Sequence, residues 1–236
     1  MYQRDLAYIQ HHGFSDFSKA AAPGLLRILR GAGITSGHVV DLGCGDGTWL
    51  RSLTRRGFGA TGVDQSAELL AYARAAAPRA VLKKNSVDRW AFPPCEAITA
   101  LGEVLSYEPA TPASLRRLFR RAHAAIRPGG VFIFDVLVSG PPMSYLTWRS
   151  GQSWAVMVRV EERKNRLIRD IITFRKVRGR YRRSQERHRL LVVEPRFVLT
   201  ELRRIGFSVR TAHGYGRVAP GHRRLVFIAR KKPREG

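Results

Sequence analysis

Residues 39–50 read VVDLGCGDGTWL. A short β-branched run enters an aspartate, three glycines follow at alternate positions, and the chain then turns to helix-forming residues. Glycine in a turn loses much backbone entropy on folding, so it belongs where φ must be positive or where something must come close to the main chain. Gly43, Gly45 and Gly47 therefore predict a tight strand-to-helix turn with accessible backbone, preceded by Asp41 and carrying Asp46 inside it.

The same alternation runs outward from this turn. GATGVD (59–64), AVLKKNS (80–86), AITAL (97–101) and VFIFDVL (131–137) read as strands. Between them, 47–57, 66–78 and 111–130 read as helices; Ser66 and Thr111 are N-caps and Pro112 suits the first helical position. Strands alternating with helices predict right-handed βαβ crossovers and a parallel sheet covered on both faces. After Pro142 the rhythm stops. WAVMVRV (154–160), LIRDIITFRKV (167–177) and YRRSQERHRLLVV (181–193) have no helix between them and predict an antiparallel meander. A helix at 195–206 and strands at 207–216 and 223–230 then resume the first pattern, and the tail KKPREG is expected to be disordered. The whole chain, 1–236, reads as one domain: an N-terminal helical lid (1–34), a core (35–140), an antiparallel β insert (150–194) and the C-terminal part of the core (195–230).

Composition narrows the function classes. With 44% hydrophobic and 25% charged residues the chain is globular in type. No apolar run reaches the roughly 18 residues of a membrane helix, the best being broken by Asp135. The N-terminus lacks a continuous apolar stretch, so no signal peptide is expected. Two cysteines, Cys44 and Cys95, give neither a disulfide framework nor metal-ligand spacing, which fits a reducing, cytoplasmic setting and no metal site. The net charge of +24 raises a nucleic-acid partner, and residues 159–189 hold 13 Lys/Arg against four Asp/Glu. Yet 35 of the 42 cations are Arg, spread along the chain, and in 159–189 they fall on both strand faces with no interleaved exposed aromatics expected, which is not the pattern of a base-stacking platform.

A glycine turn between strand and helix binds nucleosides in doubly wound sheets, and Asp64, ending the next strand, suits a pair of ribose hydroxyls. A dinucleotide would want G-x-G-x-x-G, with its pyrophosphate against the helix N-terminus. Here the spacing is G-x-G-x-G, and Asp41 and Asp46 would repel a diphosphate while favouring a cation. With GVDQS, KNSVD, ALGEVLSY and IRPGGVFIFDV following in order, the stretch resembles the motif series of class I S-adenosylmethionine-dependent methyltransferases of small-molecule type. The resemblance covers about residues 35–138 and implies an α/β fold: a doubly wound, Rossmann-like, seven-stranded mostly parallel sheet whose final strand is antiparallel. It implies S-adenosylmethionine as cofactor, with Asp41, Gly43, Cys44, Gly45 and Thr48 at the methionine end, and Asp64 on the ribose. Gln65, Asn85, Ser86 and Val87 would lie at the adenine, and Leu101 and Gly102 at the methionine amine; many relatives carry Asp where this chain has Asn85.

Methyl transfer from an activated donor rests largely on positioning, so no metal or nucleophilic cysteine is needed. Cys95, in FPPCEAI, precedes the fourth strand and cannot serve as a base-attacking cysteine, and GEVLSYEP lacks the Pro-Pro turn of amino-methylating nucleic-acid enzymes. Glu103 is the candidate for a substrate amine, a general base or the methionine ammonium, with Ser106 and Tyr107 beside it. His11 and His12 are candidate substrate-side groups in a segment that would close over the cofactor. Glu186 and His188 share one strand face by period two, either toward the site or toward solvent. The resulting expectation is methyl transfer to N or O of a small metabolite, with a homodimer through the insert as a further option. The alternatives are an RNA methyltransferase using the basic insert and an inactive cofactor-binding scaffold.

Overall fold

The computed structural model describes residues 2–233. Two helices, α1 (Arg4–Phe14) and α2 (Asp16–Gly31), lead into β1 (His38–Leu42), α3 (Thr48–Thr54), β2 (Gly59–Asp64), α4 (Ala67–Ala76), β3 (Val81–Lys84), β4 (Cys95–Ala100), α5 (Pro112–Ala125) and β5 (Ile126–Leu137). Strands β6 (Ser144–Gly151), β7 (Trp154–Arg163), β8 (Arg166–Val177) and β9 (Arg180–Leu191) follow, then α6 (Pro195–Arg204), β10 (Phe207–Ala212) and β11 (Arg224–Lys231). Of the tail, Lys231 ends β11 and 234–236 lie outside the described residues.

The main sheet has seven strands in the order β10-β11-β5-β4-β1-β2-β3. β1, β2, β3, β4 and β5 pair in parallel, and β11 runs antiparallel to both β5 and β10. β5 shows why this sheet needs helices on both sides. Phe132 and Phe134 pack with Phe119, Phe227 and Val198 under α5 and α6, while the alternate Val131 and Ile133 pack with Leu25, Leu29 and Trp49 under α2 and α3. A continuous apolar run is thus buried on both faces by a period of two, each large side chain contributing roughly 2 kcal/mol.

β6-β7-β8-β9 form a separate antiparallel sheet. β6 was not expected. All eight of its residues are exposed, so no alternation of burial marks it in the sequence. The helix expected to run to residue 130 stops at Ala125, because Ile126 and Arg127 precede Pro128 and turn extended at once. α1 lies between α4 and the insert sheet: Leu6 and Ile9 pack on Trp154, Val156 and Ile171. Asp5 accepts from Arg182 Nε at 2.7 Å and from Ser184 Oγ at 2.7 Å, which anchors the helix to β9. Among the described residues no helix is long and apolar enough to cross a membrane.

Candidate active site

The glycines of the opening stretch all adopt left-handed backbone, with φ of 67°, 56° and 78° at Gly43, Gly45 and Gly47. Two are also constrained by space. A Cβ on Gly43 would lie 2.4 Å from the Val104 side chain, and one on Gly47 would lie 2.8 Å from the Ala73 main chain. Gly45 has nothing within 4 Å of such a Cβ, so its backbone is the accessible one. Asp46 turns back onto α3: its Oδ1 accepts from the Thr48 amide at 3.1 Å and from Thr48 Oγ1 at 2.8 Å.

Above the loop lies a cavity of about 570 Å³, walled by the loop, α1, the rim of β4 and the insert. Asp41, Gly43, Cys44, Gly45, Asp64, Gln65, Val87, Leu101, Gly102, Glu103 and Tyr107 line it. Other residues singled out from the sequence lie elsewhere. Thr48 is buried behind the loop and satisfied by Asp46. The Asn85 amide donates to the Asp64 carbonyl at 3.0 Å, and its side chain accepts from its neighbour Ser86, so neither residue lines the cavity. His11 stacks on Tyr72 at 4.1 Å and meets Asp46 Oδ2 at 2.8 Å on the far side of the loop. His12 is exposed, stacked on Tyr8 and bonded to the Tyr8 carbonyl. Ser106 Oγ accepts from the Leu137 amide at 3.1 Å rather than facing the mouth.

Two carboxylates sit at the loop end. Asp41 is buried at the end of β1 and accepts from Thr99 Oγ1 at 2.7 Å. Burial, with Asp64 adding repulsion, pushes its carboxyl up to about 7. Asp64 accepts from the Gly45 amide at 3.0 Å and the Ser66 amide at 2.8 Å, yet burial still holds it above the usual carboxylate range. The cavity wall as a whole is acidic. Its lining includes Asp41, Asp46, Asp64, Asp88, Glu103 and Glu108 against two cations, Arg169 and Arg224, in a chain whose net charge is +24, although both Asp46 oxygens are taken by Thr48 and His11.

The rim beyond β4 is held from below. Asp135, fully buried on β5, accepts from the amides of Gly102 and Glu103 at 2.8 Å each and from the Tyr215 hydroxyl at 2.5 Å. These bonds hold Glu103 in a left-handed conformation, φ 56°, of the kind that costs about 1–3 kcal/mol at functional sites. Glu103 is not a solvated rim carboxylate: it is 5% exposed and paired with Arg169 of the insert. Among the described residues its Oε2 has no hydrogen-bond partner. Tyr107 completes the wall, its hydroxyl 3.4 Å from that of Tyr2 and 3.5 Å from Arg169 Nη1.

Glu186 and His188 share their predicted face, and it is a buried one. His188 Nε2 meets Glu186 Oε2 at 3.0 Å, while Glu186 Oε1 accepts the Gln3 amide at 3.0 Å. The pair sits one layer behind Tyr2 and Tyr107, whose rings lie 5.3 and 5.5 Å from the imidazole. Sequence reasoning missed Tyr2, Arg169 and Arg224. Arg169 and Arg224 are indistinguishable from the other arginines by composition, and only tertiary placement selects them.

Residues 39–130 match the methyltransferase domain family. A trans-aconitate 2-methyltransferase of Paracidovorax citrulli is 36% identical over 114 residues, which are 48% of this chain and 43% of that protein. The chain spans less than half the length of the curated relatives it matches. Whole-chain likeness comes from solved structures. An S-adenosylmethionine-dependent methyltransferase from Clostridium acetobutylicum superposes with a TM-score of 0.82 at 16% identity, covering 96% of this chain and 97% of that one. The sugar N-methyltransferase KedS8 from Streptoalloteichus gives 0.80 at 17% identity, covering 98% and 95%. The chain therefore has the class I methyltransferase fold, and its residues 39–130 are similar to the methyltransferase domain family.

Proposed function

We propose that this protein is an S-adenosylmethionine-dependent methyltransferase acting on an amine nitrogen of a small molecule. The observation that carries the reading is the acidic cavity: Asp41 and Asp64 at the glycine loop, with Asp88, Glu103 and Glu108 elsewhere on the wall of a strongly basic chain, suit a sulfonium bearing an ammonium and disfavour a diphosphate. The donor set fits the cofactor: Asp64 for ribose hydroxyls, Asp41 and the loop backbone for the methionine end, Leu101 and Gly102 for its amine. When bound, the cofactor supplies an activated methyl group. The chain's residues orient the acceptor and exclude water: Tyr2 and Tyr107 close the mouth, and Glu103 Oε2 accepts a hydrogen bond from the acceptor nitrogen and takes up its proton as needed.

The trans-aconitate relative is named for a tricarboxylic acceptor; the acid-lined wall here argues for a different one. The nucleic-acid alternative meets the same objection, because an acidic mouth repels a phosphate backbone. Added salt separates the two, since polyanion binding weakens steeply with salt and small-molecule methylation does not. For the partner we favour a second copy: Leu146, Trp148 and Met157 are exposed together on the outer face of the insert, and Trp148 pairs directly with Met157 across the strands. We read the chain as one domain in which the insert forms a wall of the site. Two buried free thiols suit the cytoplasm.

The test is calorimetric titration of the purified protein with S-adenosylmethionine and with NAD, followed by assay of S-adenosylhomocysteine release over a panel of amines, alcohols and polycarboxylates. Binding of the sulfonium alone and turnover with amines support the reading. Retention of NAD, or turnover confined to polycarboxylates, removes it.

A further inference from the structure

At the start of β11 a guanidinium lines the cavity and makes no hydrogen bond among the described residues. Arg224 lies with Nε 3.8 Å from Glu103 Oε2 and Nη1 3.7 Å from Asp135 Oδ2, both too long for hydrogen bonding. It lies between Gly221 and Phe17. A Cβ on Gly221 would lie 2.6 Å from Nη2, and the Phe17 ring packs 5.5 Å away. Facing it, Glu103 Oε2 is buried and also unpartnered, the other oxygen being taken by Arg169. An unused acceptor and an unused donor fork thus stand side by side on one cavity wall.

We propose that Glu103 and Arg224 together read the two charged ends of a zwitterionic acceptor, an amine carrying a carboxylate or phosphate a few bonds away. The inference rests on the methyltransferase reading above and narrows its substrate. Charge balance favours it. Glu103 and Asp135 are offset by Arg169 and Arg224, so a zwitterion leaves the cluster neutral while supplying both missing hydrogen bonds. A plain anion would leave the buried Glu103 oxygen without a partner, which is costly, and a plain amine would leave the half-buried guanidinium to solvent. Arginine's fork suits carboxylate and phosphate alike.

The methionine arm of the cofactor carries the same two groups, and Gly102, assigned to its amine, lies beside Arg224: a Cβ there would stand 3.9 Å from Nη1. Probes are therefore offered to protein already saturated with the cofactor product, whose methionine arm fills its own subsite, so that only a guanidinium left free for the acceptor can answer.

Matched probes test the assignment on protein saturated with S-adenosylhomocysteine: L-phenylalanine against 2-phenylethylamine, L-alanine against ethylamine, and phosphoethanolamine against ethanolamine. Calorimetry is expected to show tenfold or tighter binding of the zwitterion in at least one pair, and the pair that responds separates carboxylate from phosphate. Arg224→Gln should erase that preference, Arg224→Lys should restore part of it, and cofactor affinity should stay within twofold. The assignment is overturned if no zwitterion binds more tightly than its amine. It is equally overturned if Arg224→Gln weakens S-adenosylmethionine binding, which would give the guanidinium to the cofactor. Failure of wild-type protein to bind the cofactor at all, read before any probe is added, sinks the methyltransferase reading and this inference with it.

Discussion

The backbone amide of Gly45 donates to Asp64 Oδ2 across 3.0 Å, so the most accessible glycine of the loop is tied to the carboxylate that ends the next strand. One side chain thereby shapes the loop and presents acceptors to the cavity. Asp64→Ala should lower S-adenosylmethionine affinity by ten- to a hundredfold while the far-ultraviolet circular dichroism is retained. Calorimetry decides it, and unchanged affinity would remove the ribose assignment.

The raised carboxyl of Asp41 makes cofactor binding depend on protons. A cation binds the ionised form, so affinity should rise as pH increases from about 5 to 8, with proton release on binding near pH 6 to 7. Stability of the cofactor-free protein should move the other way. A carboxyl at about 7 in the fold and near 3.8 in the unfolded chain contributes stability that is complete below the lower value and lost as pH rises through the higher one. The loss is on the order of 4 kcal/mol at most. Thermal melts of wild type against Asp41→Asn across pH 4.5 to 8 measure it; parallel curves would refute the shift.

At Glu103 the two readings differ in kinetics. Glu103→Gln should reduce kcat by ten- to a hundredfold with little change in cofactor affinity. It should also cost about 2 kcal/mol of stability, because Arg169 loses its charged partner. A wild-type rate in this variant would reduce Glu103 to an anchor for the insert.

The loop glycines should not be equally replaceable. Gly47→Ala meets both positive φ and the Ala73 main chain, and should cost about 3 kcal/mol or more. Gly45→Ala meets only the dihedral cost, about 1 kcal/mol. Melting temperatures compare them directly, and Gly45→Ala should harm cofactor binding more than stability.

Much of this was legible because local rules agreed with the global fold. The alternating β5 run, the capped helices and the glycine turn each carry their own signal, and together they define the sheet. Other parts were not legible for physical reasons. β6 is exposed along its whole length and lacks any burial pattern. His11 and His12 sit on the correct helix, but at positions that face Asp46 and solvent rather than the cavity; one step of helical phase decides this, and the sequence does not set it. Asp135 reads as an interruption in an apolar strand, whereas it is the support of the rim above it. Arg169 and Arg224 gain their meaning only when the insert and the last strand are brought against Glu103.

Tyr2 packs against Tyr107, its carbonyl accepts from Ser66 Oγ at 3.0 Å, and the next amide is held by Glu186. One residue thereby ties three elements together at the mouth, β9, the start of α4 and the segment after β4, so a shift in any of them is felt at the opening of the pocket.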